Sequence, residues 1–176
     1  MTDQATTSGP SIVVLGASGT IGREIARLAV AYGCEVIGMT RAGSAPTDEP
    51  WTAGVEWIAC DARDPTLNSQ IANARVVIDA TPTDVVGAAR SLEVDRVVEL
   101  GCAAARITDR IPAHVIHLLI PRLDPRAERG EKLPDSSGIA TAHAAMAALR
   151  VAIEDDHAGT IEPGRVAELG DAMFLQ

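Results

Sequence analysis

Gly16-Ala17-Ser18-Gly19-Thr20-Ile21-Gly22 follows the apolar run Ile12-Val13-Val14-Leu15 and opens an amphipathic stretch from Ile21 to Tyr32. A strand that feeds a glycine-rich turn and then a helix is how α/β proteins hold a dinucleotide. The first glycine permits a tight turn, and the second leaves no side chain between backbone and pyrophosphate. The third lets helix and strand pack closely. The first N–H groups of the helix then point at the phosphates. Gly16, Ser18, Gly19, Thr20, Ile21 and Gly22 are the candidate phosphate-binding residues. The alternative is a turn of the same shape that has lost its ligand.

The rest of the chain fits around that unit. At 176 residues it is long enough for one domain with a proper core. Aromatic residues are only 2%, so the core must be built from Val, Ile, Leu and Ala, which suits the continuous aliphatic runs of a buried parallel sheet. A net charge of −9 with so few aromatic residues argues against a nucleic-acid partner. Cys34, Cys60 and Cys102 form no CxxC pair; neither a disulfide framework nor a metal site is expected, and a reducing, cytoplasmic setting is. No apolar stretch reaches membrane-spanning length.

Strand-like and helix-like segments alternate. Strands are expected over 11–16, 34–40, 55–60, 75–80, 96–100 and 159–162, with 115–120 as a further candidate. Helices are expected over 20–32, from Asp64-Pro65 to about Asn73, from Thr83 to about Leu92, and over 138–155 behind a Ser136 or Ser137 cap. Residues 122–135 read as a surface loop. Such alternation gives a parallel sheet covered on both faces, with ligands across the carboxyl ends of its strands. Residues 1–10 read as a flexible tail, 11–170 as the domain and 171–176 as a C-terminal tail.

These residues resemble the short-chain dehydrogenase/reductase superfamily, in the extended or atypical branch that also holds NmrA-like and epimerase-like proteins. The resemblance rests on Gly16-x-x-Gly19-x-x-Gly22, on Cys60-Asp61-Ala62-Arg63-Asp64 and on Asp79-Ala80-Thr81-Pro82. It continues through the strand Val94 to Leu100 and the turn Ile161-Glu162-Pro163-Gly164-Arg165-Val166. It implies an α/β fold made of a single Rossmann-type, doubly wound parallel sheet with helices on both faces. It further implies cofactor contacts from Thr40, Arg41, Asp61, Ala62, Ala80 and Thr81. An acidic residue after the second strand would favour NAD; Arg41 there can pair with a 2′-phosphate and tilts the expectation to NADP, with NAD as the alternative. Asp61 would accept from the adenine amino group.

The catalytic positions depart from the pattern. The family uses a tyrosine, a lysine four residues later, and a serine or threonine after the fifth strand. Aligned on Ala144-Ala145-Met146, the tyrosine position falls on Ile139 and the lysine position on His143, while the serine position falls within Gly101-Cys102-Ala103. The sole tyrosine is Tyr32. Losing positioned acid/base help costs about 10²–10⁴-fold in rate, so standard ketone reduction is not expected. His143 and Cys102 are the candidate catalytic residues. Glu99 reads as an active-site carboxylate or a strand-end salt bridge, and His114 with His117 does not read as a metal pair. Only about a dozen residues follow Gly164, so the resemblance is to a truncated member lacking the Tyr/Lys dyad.

Three functions follow. The first is an NAD(P)-dependent oxidoreductase on an unknown small molecule, working without the usual acid/base pair. The second is a non-catalytic dinucleotide-binding sensor or scaffold for a protein partner. The third is an isomerase or lyase that reuses the cleft without net hydride transfer. The alanine-rich helix 138–155 is the expected face of a homodimer, or else packs flat on the sheet.

Overall fold

The computed structural model describes residues 10–61, 66–71, 74–81, 92–102, 113–124, 138–154, 157 and 159–171. Its elements are β1 (Ser11–Leu15), α1 (Thr20–Ala31), β2 (Glu35–Thr40), a 3₁₀ turn (Pro50–Gly54), β3 (Val55–Ala59), α2 (Leu67–Gln70), β4 (Val76–Asp79) and β5 (Arg96–Cys102). They continue as β6 (Val115–Ile120), β7 (Arg122–Leu123), β8 (Gly138–Ile139), α3 (Thr141–Ile153), β9 (Gly159–Ile161) and α4 (Pro163–Asp171). The expected helix from Thr83 up to residue 91, the Asp64-Pro65 and Ser136/Ser137 caps and Ala62 lie outside the described residues.

Seven strands form one parallel sheet in the order β3-β2-β1-β4-β5-β6-β9. The strand order reverses between β1 and β4, which places the cleft at their carboxyl ends. Both faces of β1 are covered. Ile12 and Val14 pack with α1, α3 and α4, and Val13 and Leu15 with Leu67, Ile71 and Leu92. That double burial explains why β1 is aliphatic throughout and not alternating.

Helix α1 buries Gly22, Ile25, Ala26, Leu28 and Ala29 on one stripe. It ends where Gly33, at φ +77°, takes the left-handed conformation. Gly33 N–H then donates to Val30 C=O and Cys34 N–H to Ala29 C=O, both at 3.0 Å. These bonds satisfy the last carbonyls and turn the chain into β2. Burying Ile25 alone contributes about 1.5–3 kcal/mol.

Four expectations change. The loop expected over 122–135 begins as strand: β7 pairs in parallel with β8 in a small second sheet. Residues 138 and 139 are therefore extended, and α3 starts at Thr141 behind Ala140 with no side-chain cap. The residues after Glu162 form α4, because Pro163 suits a first helical turn and Val166 and Leu169, three apart, reach the core. The segment 159–161, expected as the sixth strand, is the seventh, since β6 lies between it and β5.

Helix α3 packs its alanine stripe flat on the sheet, the alternative to a dimer face. Ala144, Ala145, Ala147 and Ala148 are fully buried within the chain, where α3 packs on α1, α4, β4 and β5. The small side chains bring these elements together inside the chain, so that stripe leaves no surface for a partner. Its far end is held by Arg96, whose Nη1 donates to the carbonyls of Val151 (3.1 Å), Ala152 (3.3 Å) and Glu154, groups a helix leaves open. Because α1 and α3 touch, they share a face. Yet β1→β2 and β6→β9 step in opposite directions along the sheet. With β1–α1–β2 right-handed, the β6–α3–β9 crossing is left-handed, a departure from the usual rule.

Candidate functional site

Gly16 leaves β1 at φ +73°. A Cβ there would come within 2.9 Å of the Ala80 carbonyl, so only glycine lets the loop lie against the end of β4. Ala17 N–H donates to Met39 C=O at 3.2 Å and Gly19 N–H to Gly16 C=O at 2.9 Å, tying the loop to β2 and closing it on itself. At Gly22 a Cβ would meet the Gly16 carbonyl at 2.3 Å, so this glycine sets the approach of α1 to β1.

Gly19 is different. Its φ of −74° suits any residue, and a Cβ there would meet only the Gly16 carbonyl, at 3.3 Å. A side chain here would need the Gly16 carbonyl to give by a few tenths of an ångström, far less than at Gly16 or Gly22; a ligand approaching the loop closely would demand the bare backbone outright. Gly19 caps α1 with no side-chain hydrogen bond, and the first turn holds no acidic residue. The N–H groups of Thr20, Ile21 and Gly22 therefore open the helix without an intrahelical partner, and the helix dipole makes this end positive. Ser18, Gly19 and Thr20 are exposed and Ile21 is half-buried.

The neighbouring strand ends complete one rim. Ala80 N–H donates to Leu15 C=O at 3.1 Å, and Thr81 donates to Asp79 Oδ1 from its N–H (3.1 Å) and its hydroxyl (2.5 Å). Thr40 is buried, and its hydroxyl donates to Ser44 C=O at 3.4 Å. Its carbonyl accepts from Gly43 N–H (3.3 Å) and Cys60 N–H (2.9 Å). Thr40 thus shapes the turn after β2, while Arg41 and Asp61 stand exposed beside it. The Cys60 thiol donates to Asp61 C=O at 3.2 Å. The structure thereby brings the glycine loop, Ala80, Thr81, Arg41 and Asp61 to one edge.

Beneath that edge lies a row of buried polar groups that sequence reasoning missed as a unit. Asp79, Glu99 and His117 are cross-strand neighbours in β4, β5 and β6, exposed by only 1%, 0% and 2%. Each follows by two residues a member of the second core cluster (Val77, Val97, Val115), so all three point to the face opposite α1 and α3. His117 Nδ1 lies 2.8 Å from Glu99 Oε2. Glu99 is therefore paired as expected of a salt-bridging carboxylate, but in mid-strand and buried and not at the strand end. Burial pushes the Asp79 carboxyl up; the two Thr81 hydrogen bonds oppose this and the Glu99 charge adds to it. The signal in the sequence was one acidic and one imidazole residue inside otherwise aliphatic runs.

His143 occupies the first turn of α3, half-buried. Its backbone lies where α4 comes close, since a Cβ on Gly170 would sit 2.6 Å from its carbonyl oxygen. The helix that carries His143 connects the sixth and seventh strands of the sheet. Cys102 ends β5 opposite Ile120. Tyr32 is exposed at the C-terminal cap of α1, a helix length from the glycine loop. Burial raises the Cys34 thiol, which marks it as an inert core residue. Among the described residues no cluster of three His, Cys, Asp or Glu could hold a metal, and no helix is long and apolar enough to cross a membrane.

Comparison with known proteins agrees with this architecture. The chain superposes on a Rossmann-fold NAD(P)-binding family protein from Shigella flexneri (TM-score 0.63, 14% identity, 88% of this chain and 94% of that one). It also superposes on an epimerase from Methanothermobacter thermautotrophicus (TM-score 0.62, 12% identity, 93% and 78%). A third match is the Bordetella bronchiseptica enzyme WbmH, solved in complex with NAD+ (TM-score 0.55, 17% identity, 87% and 74%). In sequence, MIOREX complex component 2 of Saccharomyces cerevisiae is 32% identical over 69 residues, 36% of this chain; the chain spans a quarter (25%) of that curated relative. The sequence profile of the NAD dependent epimerase/dehydratase family matches residues 12–99, half of the chain. With glycine loop, strand order and profile in agreement, the chain belongs to the NAD-dependent epimerase/dehydratase family.

Proposed function

We propose that this protein binds NADP(H), and NAD(H) more weakly, across the carboxyl ends of β1, β2 and β4, and acts as an oxidoreductase on a small molecule without the usual tyrosine–lysine pair. The observation that carries the reading is Gly19, a glycine with an ordinary φ and a single tight neighbour within the chain, placed on the open N-terminus of α1. The Thr20, Ile21 and Gly22 N–H groups would hold the pyrophosphate. Arg41 would pair with the 2′-phosphate and Asp61 would accept from the adenine. Ala80 and Thr81, small and held against Gly16, leave room beside them. The bound nicotinamide supplies hydride exchange; the chain's own residues must orient the substrate and manage its proton.

Calorimetric titration with NADP+ and NAD+ tests this. A Kd for NADP+ at least tenfold below that for NAD+ is expected, since a charge-assisted pair contributes about 1.5–3 kcal/mol. Equal affinities would remove the role given to Arg41. Binding of neither would overturn the reading. Tight binding without turnover on a panel of alcohols and carbonyls would favour the sensor.

A further inference from the structure

The Glu99–His117 pair carries more than packing. The imidazole lies along β5: Nδ1 faces Glu99, and Nε2 sits over Gly101, where an added Cβ would approach it to 2.4 Å. Gly101 is two residues past Glu99, about 6.6 Å nearer the carboxyl edge of the sheet. The ring therefore points from the core toward the edge at which open α/β sheets bind ligands. Among the described residues Nε2 has no hydrogen-bond partner, although it is buried. A buried polar atom left unpaired costs about 1–3 kcal/mol, so a structure that keeps one, and keeps a glycine to make room for it, invites a ligand atom there.

We propose that His117 is the proton-accepting group of the cleft, offering the Nε2 lone pair to a hydroxyl of the bound small molecule, with Glu99 as the residue that positions it. The inference rests on the dinucleotide reading for its substrate class, an alcohol, whose oxidation requires the hydroxyl proton to leave. Ionised Glu99 accepts the Nδ1 proton, which leaves the neutral ring its lone pair on Nε2. In the transfer the substrate O–H bond breaks, its electron pair stays on oxygen, and an Nε2–H bond forms. The imidazolium so produced lies 2.8 Å from the Glu99 carboxylate, which holds its charge.

The test uses the full chain with ¹⁵N-labelled histidine and long-range N–H NMR, His117 being assigned by its loss in His117→Gln. The wild-type ring is expected as the Nδ1–H tautomer, and Glu99→Leu is expected to abolish that preference. NADP+ is expected to shift Nε2 and leave Nδ1 in place, a response that a purely structural pair would not give. An Nε2–H tautomer in the wild type overturns the assignment. So does an Nε2 resonance unmoved by NADP+ in a chain that calorimetry shows to be saturated. A chain that binds no NADP+ overturns the dinucleotide reading instead, and the tautomer of the free protein still decides this one.

Discussion

At the carboxyl ends of β1 and β2 the chain exposes bare backbone; at those of β4, β5 and β6 it buries ionisable side chains. The first region, Gly16 to Gly22, holds no charged side chain and works through main-chain geometry, one positive φ and two close approaches to the Gly16 carbonyl. The second, Asp79–Glu99–His117, works through side chains held in low-dielectric surroundings. Backbone donors cost nothing to present at a helix end, because the helix leaves them open in any case. Buried charges are expensive unless paired. On the proposed reading the two halves of one sheet divide the tasks: the first would grip an anion, and the second would store and orient a proton.

The largest effect that separates the halves is expected at His117. His117→Ala removes the imidazole from a fully buried carboxylate and should cost about 3–5 kcal/mol, read as a lower denaturation midpoint at unchanged m-value. A loss below about 1 kcal/mol would mean that Glu99 does not depend on the imidazole as its hydrogen-bond partner.

Next is Gly22→Ala. Its new methyl meets the Gly16 carbonyl at 2.3 Å, and overpacking of this kind costs about 1–3 kcal/mol. Because the clash moves the loop itself, stability and NADP+ affinity should fall together. Intact affinity would show that the loop geometry does not matter for binding.

Arg41→Ala sits lower. The side chain is exposed, so melting should not move, while NADP+ affinity falls about tenfold and NAD+ affinity stays. A parallel loss for both nucleotides would place Arg41 elsewhere than at the 2′-phosphate.

The smallest effect is the pH dependence from Asp79. Its folded carboxyl is raised above the ordinary 3.8, so the native state binds the proton more tightly than the unfolded chain. The associated stability is present at low pH and is lost as pH rises through the folded value. Asp79→Asn keeps an acceptor for Thr81 and removes this dependence. The variant should gain stability relative to wild type as pH is taken from acidic to neutral, measured by urea unfolding. A gain in the opposite direction would reverse the assigned cause.

The first half was legible in the sequence because its determinants are local. Glycine at fixed spacing, an aliphatic run before it and an amphipathic stretch after it fix strand, turn and helix within about twenty residues. Gly33, at φ +77°, likewise ends α1 through a purely local property. The second half was not legible, because Glu99 and His117 lie eighteen residues apart and meet only through the β5–β6 register. The place of β6 in the sheet depends on the same register, which is why 115–120 reads only as a further candidate strand and 159–161 as the sixth. Short elements failed for another reason. The pairing of β7 with β8 involves two residues on each side, and α4 shows its core face only through Val166 and Leu169, too little periodicity to outweigh Pro163 and Gly164.

On the proposed reading Gly19 is bare chiefly for a ligand, since the fold sets only one tight contact against a side chain there. Calorimetric titration of NADP+ into the wild type and into Gly19→Val tests it most directly. The variant should remain folded, losing about 1 kcal/mol at the helix cap, and should no longer bind the NADP+ that the wild type binds. Equal binding by both proteins would contradict the account, as would a wild type that takes up no NADP+ at all.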